Sequence, residues 1–398
     1  MITAFFSLFN RFFRSSAREI VVPKKKPGKK RIVFINHEES LTGAPRVLFE
    51  IASSMKKDFD VVVVSLSRGQ MHEDFAKTFP VIIYPGESLC GINGREQKAI
   101  AVLSAAKPDL VYANTVCAFP YASEAKKMGI PVIFHVHELE GVFRSVLGKQ
   151  QINSFRNSAD FFIAVSDAMR DFLVDCCKCK PSRVVVANAF ISCADVLQKS
   201  RELPGKVVDS EIKRQPGETL VLALGTAEER KGTDFFVAAH KLLAEKGKGH
   251  FRFVWVGDTS RASPEIKKAI NSRLPGCVFL GERKNPFPFV KRADIFVLPS
   301  REDPFPLVVL EAMALEKPVI AFKNSGCAPV IEKHDCGIVP SEISAIALAK
   351  AVAALSSNKK LLKRFFGNCR KVSKKYDAGV ILPKIRRIVK KALSKKTR

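Results

Sequence analysis

From Arg31 onward, short apolar runs alternate with longer segments whose apolar residues return every three or four positions. The runs Ile32–Ile35, Val61–Ser65, Val81–Tyr84, Leu110–Tyr112, Val132–His135, Phe161–Val165 and Val184–Val186 are short and rich in β-branched residues, and read as strands. Between them, stretches such as Ala44–Ser54 and Ala118–Lys127 carry one apolar face and read as helices. The alternation stops at Lys199–Gly217, a charged stretch with Pro204, Gly205, Pro216 and Gly217, which is predicted to be a linker. It restarts with Leu220–Leu224, Phe253–Val256, Val278–Leu280, Ile295–Leu298 and Val319–Ala321. Strand–helix alternation makes βαβ units and parallel sheets. Used twice across a linker, it predicts an α/β protein with two Rossmann-like domains, 31–198 and 218–370, facing a ligand cleft.

Length and charge sharpen this picture. A chain of 398 residues suits two such domains, and an apolar fraction of 46% supplies two cores. The net charge is +27, but residues 1–31 carry +8 and residues 359–398 carry +15, leaving +4 for the body. Basic ends on a near-neutral body point to an anionic surface. In Met1–Arg14, Phe5, Phe6, Leu8, Phe9, Phe12 and Phe13 fall at helical spacing, with Ser7, Asn10, Arg11 and Arg14 opposite. That pattern predicts an interfacial amphipathic helix over 1–16, followed by a basic tether over 17–30. The tail 371–398 is predicted to be a basic helix broken at Pro383. No run of apolar residues is long enough to span a bilayer. No recognition helix or interleaved aromatic–basic binding motif supports a nucleic-acid partner for these ends. The ten cysteines form no disulfide or zinc framework; the cluster Cys176, Cys177 and Cys179 has no matching pair downstream. Reduced thiols fit a cytoplasmic protein peripherally associated with a membrane.

The most informative chemistry lies in Pro299–Ala314. A strand ends at Pro299, an acidic loop follows with Glu302 and Asp303, and a helix opens at Pro304 or Pro306. A helix N-terminus after a parallel strand binds anions through its free amides, which Phe305, Leu307 and Val308 can offer and proline cannot. If helical throughout, the eight residues from Asp303 to Glu311 would span about 12 Å, enough to flank a diphosphate. A second basic loop, Gly225–Gly232, follows strand Leu220–Leu224 and holds Arg230 and Lys231. In the first half, Leu41–Arg46 places Gly43 between a strand and a helix, where backbone can approach a substrate. His135 and His137 share one face of a strand, with Glu138 next. No third ligand at zinc spacing accompanies them, so no metal site is predicted.

These segments resemble the family-four retaining glycosyltransferases of the GT-B fold. The match is strong after Leu220 and moderate from Arg31 to there. The run Asp303 to Glu311, continued as Ala312-Met313-Ala314 and Pro318-Val319-Ile320, is similar to the family's Glu-x7-Glu signature. The resemblance implies that Glu311 binds the donor ribose and that Asp303 or Glu302 reaches the donor sugar. It implies that Lys231, helped by Arg230, contacts the departing diphosphate, that His137 contacts the donor sugar, and that Gly43 lies near the reacting centre. Asn188 sits where relatives carry Asn-Gly. Four departures stand out: Ala189 for the glycine after Asn188, Thr226 where many relatives have arginine, Asp303 for glutamate, and Cys327 and Val330 in a loop that elsewhere reads Gly-Gly-x-Pro-Glu.

The implied activity is transfer of a hexose-type sugar, with retention, from a nucleotide-diphosphate sugar to a glycan or lipid-linked acceptor of the cell envelope. No nucleophile stands opposite a general acid, as double displacement would need; the resemblance implies retention through front-face attack. No cofactor or metal is called for, since Lys231 and helix amides can neutralise the leaving group. The departures favour one alternative, a non-catalytic GT-B scaffold or sugar-nucleotide-binding protein.

Overall fold

The computed structural model describes residues 22–83, 96–138, 140–245, 247, 250–260, 262–271 and 274–394. The predicted amphipathic helix 1–16, the first part of the tether, Tyr84 and residues 395–398 lie outside them.

Thirteen strands are present among the described residues. In the first half they are β1 (Arg31–Asn36), β2 (Asp60–Ser65), β3 (Val81–Ile83), β4 (Leu110–Asn114), β5 (Val132–Val136), β6 (Phe161–Ala164) and β7 (Val184–Val186). In the second they are β8 (Thr219–Leu224), β9 (Phe251–Val256), β10 (Cys277–Phe279), β11 (Ile295–Leu298), β12 (Val319–Ala321) and β13 (Gly337–Ile338). The first seven form one sheet in the order β3-β2-β1-β4-β5-β6-β7, and the rest form another in the order β10-β9-β8-β11-β12-β13. Every pairing is parallel. Helices cover both faces, so the central strands bury every residue and read as continuous apolar runs.

Strand order decides where a ligand can sit. In each sheet the order of strands reverses once, between β1 and β4 and between β8 and β11. Connections diverge at such a point, leaving a crevice beyond the carboxyl ends of the two strands. The loops at these crevices are those after β1, β4, β8 and β11.

Three readings need correction. The stretch Lys199–Gly217 is not a bare linker, because Gly205–Ile212 is a helix whose Val208 and Ile212 are buried in the core. Those two residues lie four apart and make a short apolar stripe that the charged neighbours obscured. The tail is not broken at Pro383: Ala378–Ser394 is one helix, and Lys371 belongs to the preceding helix Lys359–Ser373. Pro383 and Gly379 are both exposed, so the carbonyl that loses its partner is left to solvent. Finally, the helix after β11 begins only at Leu307, capped by Pro306, while Asp303 pairs in extended form with Ser325. Asp303 and Glu311 are therefore not on one helix. The short strand β13 was not anticipated.

The chain returns to the first half at its end. Ile191 pairs with Asp377 as in a parallel sheet, and Cys193 N donates to Asp377 Oδ2 at 2.9 Å. The helix Ala378–Ser394 then packs on the helix Gly43–Met55. Arg386 pairs with Asp58, and the Lys391 ammonium lies 5.2 Å from the centre of the Phe161 ring. None of the described helices is long and apolar enough to cross a membrane.

Candidate active site

The loop after β8 is built for close packing. Gly225 and Gly232 have φ of +147° and +70°, the latter in the left-handed region. A methyl group on Gly232 would fall 1.8 Å from the Pro299 carbonyl oxygen. The two loops of this crevice thus touch backbone to backbone, and Arg301 N donates to Arg230 O at 2.8 Å. The Arg301 side chain fastens the same joint. Its guanidinium makes two bonds to Asp234, at 2.7 and 2.6 Å, donates to Glu229 O, and lies 4.0 Å from the Phe235 ring centre. The pairing with Asp234 raises the arginine further above its ordinary range and holds the aspartate below its own.

Within this frame Lys231 Nζ donates to Asp303 Oδ2 at 2.5 Å. Asp303 is buried, and its carbonyl accepts from Gly326 N at 2.8 Å, so the acid is held by the loop after β12 as well. Arg230 turns outward, bonding Glu228 at 2.7 Å and the Glu302 carbonyl at 3.3 Å. The Glu302 carboxylate faces the other half: a methyl group on Gly141 would lie 3.2 Å from it. The helix Leu307–Ala314 points its N-terminus into the crevice, and the amides of Leu307 and Val308 have no acceptor within the helix. Phe305 is buried against Tyr376, ring centres 5.4 Å apart, so its ring is part of the core.

Glu311 is 1% exposed, and its carboxylate meets Arg46 Nη2 of the first half at 2.5 Å. The helix that carries Arg46 starts at Gly43, which lies alongside Leu307; a methyl group there would sit 3.6 Å from Leu307 Cδ1. The N-termini of two helices, one from each sheet, therefore meet across the cleft.

On the first sheet, a polar cluster fills the ends of β1, β4 and β5. His137 Nε2 lies 2.8 Å from Asn114 Oδ1, and Asn114 Nδ2 donates to Ala44 O at 3.3 Å. His135 and His137 have ring centres 4.0 Å apart, and His135 Nδ1 lies 2.9 Å from the Tyr112 hydroxyl. Burial pushes His135 down to about 3, and burial with the neighbouring His135 and His37 pushes His137 well below its usual range. Glu138 accepts from Val116 N at 2.9 Å, and burial raises its carboxyl. Glu38 is held down at about 2 by His37, whose Nε2 lies 3.6 Å away, and by the Ser40 and Thr42 hydroxyls. Asn188 stands apart, donating to Val165 O at 2.9 Å.

The two crevices thus gather Lys231, Asp303, Glu311, Leu307, Val308 and Gly43, with Glu302 at the rim. Arg46, Arg301, Asp234 and Asn114 were not singled out from sequence. Arg46 closes the glycine segment already quoted, and Arg301 adjoins the acidic pair. Their roles depend on partners 265 and 67 positions away, a separation that local pattern does not carry.

Residues 41–194 match the family described as Glycosyltransferase Family 4, and residues 218–358 match Glycosyl transferases group 1. The chain is 30% identical over 167 residues to the N,N'-diacetylbacillosaminyl-diphospho-undecaprenol alpha-1,3-N-acetylgalactosaminyltransferase of Campylobacter jejuni, covering 41% of this chain and 42% of that one. It is 28% identical over 153 residues to the alpha-D-kanosaminyltransferase of Streptomyces kanamyceticus, covering 37% and 39%. The match spans less than half the length of these two curated relatives. Among solved structures, Anabaena Alr3699/HepE in complex with UDP-glucose superposes with a TM-score of 0.77 at 18% identity, covering 91% of this chain and 99% of that one. WaaG, a glycosyltransferase involved in lipopolysaccharide biosynthesis, gives 0.70 at 19% identity, covering 90% and 99%. At such identities the likeness is one of fold, the two-sheet GT-B architecture.

Proposed function

Because the chain belongs to the group 1, family 4 glycosyltransferases, we propose that it transfers a hexose-type sugar, with retention, from a nucleoside diphosphate sugar to a glycan or lipid-linked acceptor. The observation that carries this reading is the convergence of Lys231 and Asp303, with the Leu307–Ala314 helix N-terminus beside them, at the switch point of the second sheet. Breaking a glycosyl–phosphate bond builds charge on the leaving diphosphate. Lys231 and the amides of Leu307 and Val308 supply fixed positive charge for it, so the reading calls for no metal or cofactor. Asp303, held by Lys231, and Glu302 at the rim are the acids that can accept donor sugar hydroxyls. Glu311 takes the ribose hydroxyls, which must compete with Arg46 for its carboxylate. Closure of the cleft would exclude the water that hydrolyses the donor.

Envelope polysaccharide or lipopolysaccharide synthesis is the setting we favour. Support comes from the diphospho-undecaprenol-linked sugar in the name of one relative and from WaaG, a fold neighbour involved in lipopolysaccharide biosynthesis. A membrane footing fits that setting. Lys384, Arg387, Lys390 and Lys391 are exposed on the last helix, which lies on the first half of the molecule and belongs to the basic end of the chain.

The test is a screen of UDP-, GDP- and ADP-sugars with purified protein, read as thermal stabilisation and as sugar released or transferred. Release or transfer with retained anomeric configuration supports the reading. Inversion removes the retaining mechanism, and binding with no turnover favours a non-catalytic sugar-nucleotide-binding role.

A further inference from the structure

We propose that Asn114 is a positioning residue: it fixes His137 as a neutral imidazole with its proton on Nε2, leaving Nδ1 to accept a hydroxyl of the bound sugar. The sugar contact rests on the glycosyltransferase reading; the tautomer does not.

The Ala44 carbonyl oxygen can only accept, and Asn114 Nδ2 lies 3.3 Å from it. The amide end of Asn114 must therefore face Ala44, which turns Oδ1 toward His137 Nε2, 2.8 Å away. An amide oxygen also only accepts, so His137 must carry a proton on Nε2. A second ring proton is opposed by the surroundings. Asn114 and His135 are fully buried, the His135 ring is 4.0 Å away, and His37 adds to the repulsion. The acid nearby, Glu138, is occupied by the amides of Val116 and His137, at 2.9 and 3.1 Å, rather than by the imidazole ring. What remains is a neutral ring with a lone pair on Nδ1.

The backbone holds this arrangement in place. The chain leaves β4 through Thr115, whose φ of +71° is in the left-handed region and costly for a β-branched residue. Thr115 N donates to His135 O at 3.0 Å and Val116 N to Glu138, which fixes the turn just beyond Asn114. One amide side chain thus sets both His137 and the glycine segment that starts the helix Gly43–Met55. That segment lies against Leu307 of the second half. A neutral imidazole nitrogen accepts a hydrogen bond from a hydroxyl without adding charge beside the sugar; a charged ring would only donate.

The test uses the full chain with 15N-labelled histidine. His137 is assigned by comparison with His137→Gln, and its tautomer is read from long-range proton–nitrogen spectra at about pH 7, above the ordinary imidazole range. A neutral ring protonated on Nε2 is expected. A proton on Nδ1, or a charged ring, in the unmutated protein overturns the proposal, and this arm needs no variant to fold. In Asn114→Leu the Nε2–H preference should be lost; its survival would also overturn the proposal. With UDP-glucose as donor probe, Asn114→Leu should lower kcat/KM about tenfold alone and leave it unchanged on a His137→Ala background. Equal losses on both backgrounds would show that Asn114 does not act through His137. If no nucleotide sugar is turned over while the tautomer is as stated, the glycosyltransferase reading fails and the role of Asn114 in setting the tautomer stands.

Discussion

Lys231 and Asp303 are 72 positions apart in the chain, on loops after strands β8 and β11, and their side chains meet at 2.5 Å. The lysine is 20% and the acid 7% exposed, so the pair lies below the surface of the crevice yet open to it. A cation held this way is already oriented where a leaving group would gain charge. Lys231→Ala should lower kcat about 10²–10³-fold, the usual loss for one fixed donor to a developing anion. Donor turnover under saturating conditions measures it. Loss confined to KM would assign Lys231 to ground-state binding instead.

Arg46 and Glu311 link the two halves. Removing Arg46 leaves a buried carboxylate unpaired, so Arg46→Ala and Glu311→Gln should be non-additive in urea unfolding, with a coupling of about 0.5–3 kcal/mol. Additive losses would mean that the contact carries no energy. A nucleotide diphosphate that occupies Glu311 should stabilise Arg46→Ala at least as strongly as the unmutated chain, since its ribose no longer competes with a guanidinium.

Gly232 tests the joint between the loops. Alanine there adds strain of about 1–3 kcal/mol from the left-handed backbone alone. It also drives a methyl group into the Pro299 carbonyl. Gly232→Ala should therefore lose stability and donor turnover together, whereas Arg230→Ala, whose side chain turns outward, should cost little of either. Unfolding curves and turnover on the same samples check both.

The buried histidines give stability a pH dependence of known sign. The folded chain keeps His135 neutral down to about 3. The unfolded chain takes up a proton as pH falls through about 6.5. The unfolded state then binds more protons, so stability is fully present above that value and falls below it, by about 1.4 kcal/mol per pH unit for such a group. His135→Gln should flatten denaturant midpoints between about pH 6.5 and 5, above the window in which Glu38 begins to contribute. Parallel curves for the two proteins would contradict the buried neutral state.

The basic ends make a separate claim. Removing residues 1–16 should reduce partition onto phosphatidylglycerol vesicles, and reduce any partition onto neutral phosphatidylcholine vesicles as well, because the segment carries the apolar face. Sedimentation with each vesicle type decides it, and unchanged partition would end the anchor reading.

Much of this architecture was legible in the chain because buried parallel strands are apolar along their whole length. Runs such as Val61–Ser65 and Ile295–Leu298 stand out without any alternation. The loop after β8 was legible for a related reason: Gly232 is a residue that backbone geometry demands. The helix Gly205–Ile212 was hidden because only two of its residues, Val208 and Ile212, reach the core. Pro383 misled because the helix absorbs its cost: the carbonyl it leaves without a partner, that of Gly379, is exposed to solvent. Arg46, Arg301 and Asn114 were not legible as site residues. Each is ordinary in its local sequence and acquires meaning from a partner on another element.

The most direct measurement is a crystal structure of the complex with whichever nucleoside diphosphate stabilises the protein most. The expected result is a diphosphate in hydrogen-bond reach of Lys231 Nζ and the Leu307 and Val308 amides, with the ribose on Glu311. A nucleotide bound elsewhere, or one that leaves both Lys231 and Glu311 untouched, would contradict the reading.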